Sequence, residues 1–395
     1  MPHYLTLTPR DPLIARDGRP FGANAGNRMR SLDWLYPSVL AGSLRTLLGK
    51  QNGGFNPETV KKLKALAVSG PFPRIGDSLF FPRPLDCVVR EEIGKRACFG
   101  VRPAHFDSGE GCDLPIGLRP VLLSDGAGCD FKPAKLPGFW SAGMLAAWLA
   151  NPTGGGFDSP PESATGSKEF LDLPPEDSRT HVKMDPASGV GAEGELFSTT
   201  GLVFTTADGQ PLQMAARVEE SNDFDESLTK LDCLHPLGGE RRLAHWRRGQ
   251  SASAWTCPGS IVEALKGAQL VRMVLATPAI FKAGWKPGWL DQGEHGLEGT
   301  PPGSSVKLRL AGVVADRWQP ISGWSLEPPA GPKAIRRMVP AGGVYFFEVL
   351  EGEAGSFTER WLHSVCDDEQ DRRDGFGLAL FGIWNAHDSN EKGAS

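Results

Sequence analysis

The chain of 395 residues lacks any run of about 18 apolar residues, so no helix is expected to cross a membrane. Its first residues, MPHYLTLTPRD, lack a charged segment leading into an apolar stretch, and no secretory leader is expected there. It also lacks an excess of positive charge: 42 Lys and Arg stand against 47 Asp and Glu, for a net charge of −5. That balance excludes nucleic-acid binding by bulk charge. Such a role would have to come from local basic patches or from a shared interface. Seven cysteines form no C-x-x-C pair. Their odd count and wide spacing fit free thiols in a reducing compartment, and a cytoplasmic location is expected. Cys98, His105 and Cys112 are the nearest approach to a ligand set, but they are too widely spaced in a loop-like segment to hold zinc. No metal or cofactor is expected. There is no P-loop, no Ser/His/Asp arrangement and no dinucleotide fingerprint to support a metabolic enzyme.

What the chain does have is glycine and proline, 49 and 33 residues. Together they make up roughly a fifth of the chain, well above average usage, which implies a loop-rich protein containing β-structure. The length favours two domains.

The stretch from Thr8 to Gly49 organises the reading. His3 to Thr8 alternates as a strand, with Leu5 and Leu7 on one face. The loop after it holds Arg10, Arg16, Arg19, Arg28 and Arg30 together with Gly18, Gly22 and Gly26. Its backbone can therefore approach a ligand closely. Pro37 suits a first helical residue, and a helix is predicted from there to Gly49. Val39, Leu40, Leu44, Leu47 and Leu48 form its buried stripe, and Ser38, Gly42, Arg45 and Gly49 its opposite face. A small face with one arginine suits a phosphate backbone at a helix N-terminus.

Further along, a second helix opens at Asn56-Pro57, and Phe139 to Ala150 reads as a strongly apolar helix. Residues 91–137 carry little regular pattern, and 151–178 read as a flexible insertion. A protruding β-hairpin is predicted over 179–206, with Arg179, His181 and Lys183 alternating onto one face. After an acidic loop at 219–226 comes the densest basic cluster: Arg241, Arg242, Arg247 and Arg248, with His245 and Trp246 among them. Basic residues interleaved with an aromatic are a single-strand signature; ion pairing to the acidic loop is the bland alternative.

A domain boundary is placed near 258, giving domains of 1–258 and 259–395. The second half reads strand, insertion, strand, strand, helix (Phe357 to Cys366), strand. That is the β-α-β-β-α-β order with its first helix replaced. The first half also starts strand-helix. The predicted class is α+β, with two ferredoxin-like (RRM-like) domains carrying long insertions and glycine-rich loops.

The last strand, Gly377 to Trp384, lies within DGFGLALFGIW, where Gly375, Gly377 and Gly382 form a G-x-G-x-x-x-x-G pattern. The loop leads from a helix into a strand, unlike a dinucleotide fingerprint. It resembles the C-terminal glycine-rich loop of the RAMP superfamily of CRISPR proteins. Further blocks narrow this: RDPLIARDGRPFG, PSVLAGSLRTLLG, the segment from Arg179 to Phe204, LGGERR, LATPAIFKAGWKPGW, ISGWSL and GPKAIRRMVPAGGVYFFEV. In that order they resemble the third-subunit family of the type III-B CRISPR (Cmr) effector complex. The resemblance implies a non-catalytic RNA-binding subunit that holds the 5′ tag of the crRNA. Its implied partners are the large polymerase-like subunit and the backbone RAMP subunit, with the hairpin as a thumb-like element. The residues matched to RNA contact are Arg16, Arg19, Ser38 and Arg45 in the N-terminal blocks, and Arg179 and Lys183 in the hairpin; Arg28 and Arg30 of the basic loop, Gly42 of the helix face and His181 of the hairpin face are further RNA-binding candidates. Arg241 and Arg242 match LGGERR, Lys333, Arg336 and Arg337 match GPKAIRR, and Gly375 and Gly377 match the terminal loop. Residues 151–178 match no block.

Two other readings stay open. An endoribonuclease that cuts repeat RNA would need an acid and a base, for which His181 and His245 are the candidates. A protein-only scaffold would use the same arginines against acidic partner surfaces.

Overall fold

The structure is a computed structural model that describes residues 1–16, 26, 28–29, 31–104, 109, 111–123, 131–154, 157–249, 253–325 and 329–386. Arg19, Arg30 and His105 lie outside the described residues. The chain is strand-rich, with helices and several sheets. It forms two compact units, each assembled from three separate stretches. The first comprises 1–75, 173–250 and 320–337; the second comprises 76–172, 251–319 and 338–395. A single cut near 258 does not describe this division, because the 320–337 ribbon from the second half belongs to the first unit.

In the first unit the strand His3–Pro9 is central. It pairs antiparallel with Gln213–Val218 on one side and with Leu243–Arg248 on the other. Val68–Ile75 lies beyond Gln213–Val218, and Asp232–Pro236 beyond Leu243–Arg248. Leaving aside Asp232–Pro236, the strands numbered in chain order therefore lie 4-1-3-2, all antiparallel neighbours. Leu5 and Leu7 face a core with Met214, Trp246 and the helix Pro37–Gln51. Pro37 starts that helix without losing an intrahelical bond, since the first N–H groups have no partner inside it. Leu40, Ala41, Leu44, Leu47 and Leu48 bury its stripe. The helix continues past Gly49, which is buried beneath the Phe55 ring, and stops where Gly53 and Gly54 turn left-handed. The predicted hairpin is present as Glu176–Met184 paired with Gly191–Leu202.

The second unit is built on a sheet in the order Leu290–Gly293, Gly296–Gly299, Lys307–Val314, Val344–Glu351, Leu270–Leu275, Leu378–Ile383, His363–Ser364. Its four main strands (270–275, 307–314, 344–351, 378–383) also lie 4-1-3-2 and antiparallel. Residues 91–137 hold more structure than their sequence pattern indicates: Cys87–Glu92, Lys95–Pro103 and Val121–Leu123 form a three-stranded sheet. The apolar stretch at 139–150 splits into the strand Phe139–Ser141 and the helix Ala142–Ala150, whose first turn is capped by the Ser141 hydroxyl. The helix expected over 357–366 is instead a 3-10 turn, Ala354–Arg360, followed by the strand His363–Ser364. Leu362 sits at φ 57, a left-handed conformation that no helix continues through.

A charged pair lies in the core of this unit. Arg272 donates to Asp86 at 2.6 Å and to the carbonyls of Trp148 and of Asn151, the latter at 2.8 Å. Asp86, 0% exposed, also accepts from the Trp148 indole at 2.8 Å. The guanidinium lies over the Trp148 ring, 5.3 Å from its centre.

Candidate nucleic-acid interface

The first unit contains an open cleft of about 710 Å³. One wall is the strand-like segment Ile14–Arg16, and the next is one face of the helix Pro37–Gln51. The third is the His235–Gly239 stretch, and the fourth is the ribbon carrying Trp324. Its charged residues are Arg16 and Lys50, with the histidine His235 beside them; no carboxylate is among the described lining residues. The side chains of Arg16 and Lys50 have no ion-pair or hydrogen-bond partner among the described residues. Two cations without a neutralising partner, in a concavity with no carboxylate among its described lining residues, suit an anion.

The helix contributes Ser38, Gly42, Thr46 and Lys50, spaced four apart and so stacked along one face. The first turn has no acidic residue and no side-chain cap, so the positive end of the helix dipole adds to the same field. This corrects the expected face. Ser38 and Gly42 line the cleft, but Arg45 is turned away: its guanidinium donates to the carbonyl of Leu66 at 2.9 Å. Val39, expected in the buried stripe, is half-buried and lines the cleft.

The Gly238-Gly239 wall is held against Ile14. The Gly239 N–H donates to the Ile14 carbonyl at 2.8 Å, and a Cβ on Gly238 would meet that oxygen at 2.6 Å. The turn that follows puts Glu240 and Arg241 at φ 52 and 54. Two successive non-glycine residues in the left-handed region cost about 1–2 kcal/mol each. Arg241 is exposed with no side-chain partner among the described residues, whereas Arg242 lies 3.9 Å from Glu240. The neighbouring basic cluster is no stacking platform. Trp246 is fully buried with its indole donating to the His235 carbonyl, and His245 is bound to Asp232 at 2.5 Å.

On the hairpin, Arg179, His181 and Lys183 share a face, but each is engaged within it. Arg179 pairs with Asp177 at 2.7 Å and Lys183 with Glu195 at 2.8 Å. His181 bonds Thr199 at 2.8 Å and stacks on Phe197. Arg28 is exposed beside the returning strand, where Met29 N–H donates to the Ser198 carbonyl. Lys333 and Arg336 to Arg337 lie exposed on the 319–338 ribbons. Gly375 and Gly377 are buried in the second unit and do not present a free loop. The Gly375 carbonyl accepts from Thr277 at 2.8 Å, and a Cβ on Gly377 would lie 2.6 Å from the Cys366 sulfur.

A family model, CRISPR-associated protein (Cas_Cmr3), matches residues 5–384. The chain belongs to this family. Among solved structures, it is similar to a chain of the Type III-B Cmr-beta complex bound to cognate target RNA. There the identity is 14% over 87% of this chain and 86% of that one, with a TM-score of 0.46. The same complex with target RNA and AMPPnP gives 14%, 87%, 86% and 0.47. A chain of the Csm3-Csm4 subcomplex of the type III-A CRISPR-Cas interference complex gives 10%, 89%, 94% and 0.40. No curated protein matches the chain.

For this Cas_Cmr3-family chain, sequence reading missed Tyr36, Thr46, Lys50, His235 and Trp324 as cleft residues. Lys50 and Thr46 were legible in principle, since both continue the four-residue spacing from Ser38 and Gly42. His235 carried no local signal, as strand pairing with Ala244 positions it. Burial, and next to it the positive charge of Lys50, hold its imidazole below the usual histidine range; a backbone hydrogen bond at Ser43 acts the other way.

Proposed function

We propose that the cleft binds the sugar-phosphate backbone of single-stranded RNA. In this reading the chain is a non-catalytic subunit of a type III-B effector complex. It anchors the 5′ tag of the crRNA and bridges the large polymerase-like subunit to the backbone RAMP subunit in the cytoplasm. Membership of a CRISPR-associated family supports the setting. The observation that carries the RNA role is the pair of unpartnered cations, Arg16 and Lys50, in a cleft without a carboxylate among its described lining residues. Gly42, Gly238, Gly239 and Gly323 along its walls let a chain approach closely. Partner subunits would add the positive charge that a chain of net −5 does not supply in bulk. The 4-1-3-2 strand order supports reading both units as ferredoxin-like.

The test is binding of a labelled crRNA with an intact or a scrambled tag, by the full chain with its large-subunit partner at fixed moderate salt. We expect preference for the intact tag. Arg16→Ala and Lys50→Ala should each weaken binding and lower the salt slope by about one. Unchanged affinity and slope in both variants would refute the assignment. The non-catalytic part is tested by incubating repeat RNA with wild type and His181→Ala; cleavage lost in the variant would overturn it.

A further inference from the structure

The first unit contains three tryptophans, and they are treated differently. Trp34 is half-buried, donates its indole N–H to the Pro71 carbonyl at 2.9 Å and packs on Phe204. Trp246 is fully buried and donates to the His235 carbonyl. Trp324 is 62% exposed, lines the cleft, and has no hydrogen-bond or ring partner among the described residues. Its position is nevertheless fixed. Trp324 pairs with Pro332 across a short antiparallel ribbon. The Lys333 N–H donates to the Gly323 carbonyl at 2.8 Å, and the Ser322 hydroxyl donates to the Lys333 carbonyl at 2.9 Å.

Lys333 belongs to the same arrangement. Its stem runs past Gly323, where an added Cβ would lie 3.7 Å from the Lys333 Cδ. Its ammonium has no partner among the described residues. One hydrogen-bonded ribbon thus holds a large exposed aromatic face on a cleft that already carries Arg16 and Lys50, and, one residue past the Pro332 that pairs with Trp324, the exposed cation Lys333. An exposed indole on a braced backbone offers a flat surface at little entropic cost. Phosphate contacts position a strand but do not hold its bases. Base stacking on an aromatic is available to any unpaired base.

We propose that Trp324 is a base-stacking platform, on which one unpaired nucleobase of the bound strand lies, with Lys333 holding an adjacent phosphate. This rests on the RNA reading of the cleft and adds to it a requirement for an unstacked base. A duplex, whose bases are not free, would lose this contact.

The experiment uses the full chain and a short fluorescein-labelled single-stranded oligoribonucleotide, with Trp324→Ala, Trp324→Phe, Lys333→Ala, Arg16→Ala and Lys50→Ala. Trp324→Ala should weaken binding roughly tenfold or more with an unchanged salt slope. Trp324→Phe should stay within a few-fold of wild type. Lys333→Ala should lower the slope by about one. In a series of oligonucleotides with one abasic position each, one position should lose affinity for wild type but not for Trp324→Ala. Wild-type affinity in Trp324→Ala alongside loss in Arg16→Ala and Lys50→Ala would overturn the stacking proposal and leave the cleft assignment standing. Wild-type affinity in all five variants would overturn both.

Discussion

Asp86→Leu should be the most damaging single change in the second unit. It removes the carboxylate from a fully buried network while leaving Arg272, 3% exposed, in place. The guanidinium keeps its bonds to the carbonyls of Trp148 and Asn151 but loses its counter-charge, and the Trp148 indole loses its acceptor. Breaking a buried pair by removing one partner costs about 3–5 kcal/mol. At about 2–4 °C per kcal/mol for a unit of this size, the melting temperature should fall by about 6–20 °C. Arg272→Met should cost less, because a stranded carboxylate can take up a proton whereas a guanidinium cannot give one up. The double variant Asp86→Leu/Arg272→Met should recover most of the loss, since no buried charge remains. Urea and thermal denaturation of the three variants measure this. A cost for Asp86→Leu below about 1 kcal/mol would refute the argument, as would a double variant no more stable than Asp86→Leu.

Replacing the left-handed pair Glu240-Arg241 by Asn-Gly, which suits such a turn, should stabilise the protein by about 1–2 kcal/mol. The same variant should bind RNA more weakly, read by denaturation and by binding on one preparation. Gly42→Ala should stabilise the helix by about 0.5–1 kcal/mol, because nothing lies within 4 Å of the added Cβ. Arg45→Ala should instead destabilise by about 1–2 kcal/mol through the lost Leu66 bond, with RNA affinity unchanged. His235 is held below its ordinary value, so the unfolded chain binds the extra proton more readily. Its contribution to stability should be present above about pH 6.5 and be lost as pH falls through the folded-state value. Lys50→Ala should move the His235 titration upward by NMR.

Local rules fixed much of the first unit before any coordinates. The alternation of Leu5 and Leu7, the Pro37 start and the hairpin at 176–202 all follow from short-range pattern. Ser38 and Gly42 were legible as a helix face, yet Arg45 was assigned wrongly to that face. A guanidinium on a flexible stem goes where an acceptor waits, and the Leu66 carbonyl comes from the chain after the second helix. The glycine-rich terminus misled for a related reason. Gly375 and Gly377 do take positive φ, but what Gly377 makes room for is the Cys366 sulfur and not a ligand. His235 was invisible as a site residue because pairing with Ala244 positions it, and Trp324 because its segment, far along the chain, joins the first unit only in the fold.

The ribbon carrying Trp324 also sets a clock. Residues 1–75 supply two walls of the cleft, but the last wall comes from 320–337 of the same unit. At about 5–20 residues per second of synthesis, tens of seconds separate the emergence of the first walls from that of the last. Through that interval the nascent chain has its cationic helix face but no finished groove. Under the proposed function, RNA capture at this site is therefore a property that the chain acquires near the end of its own translation.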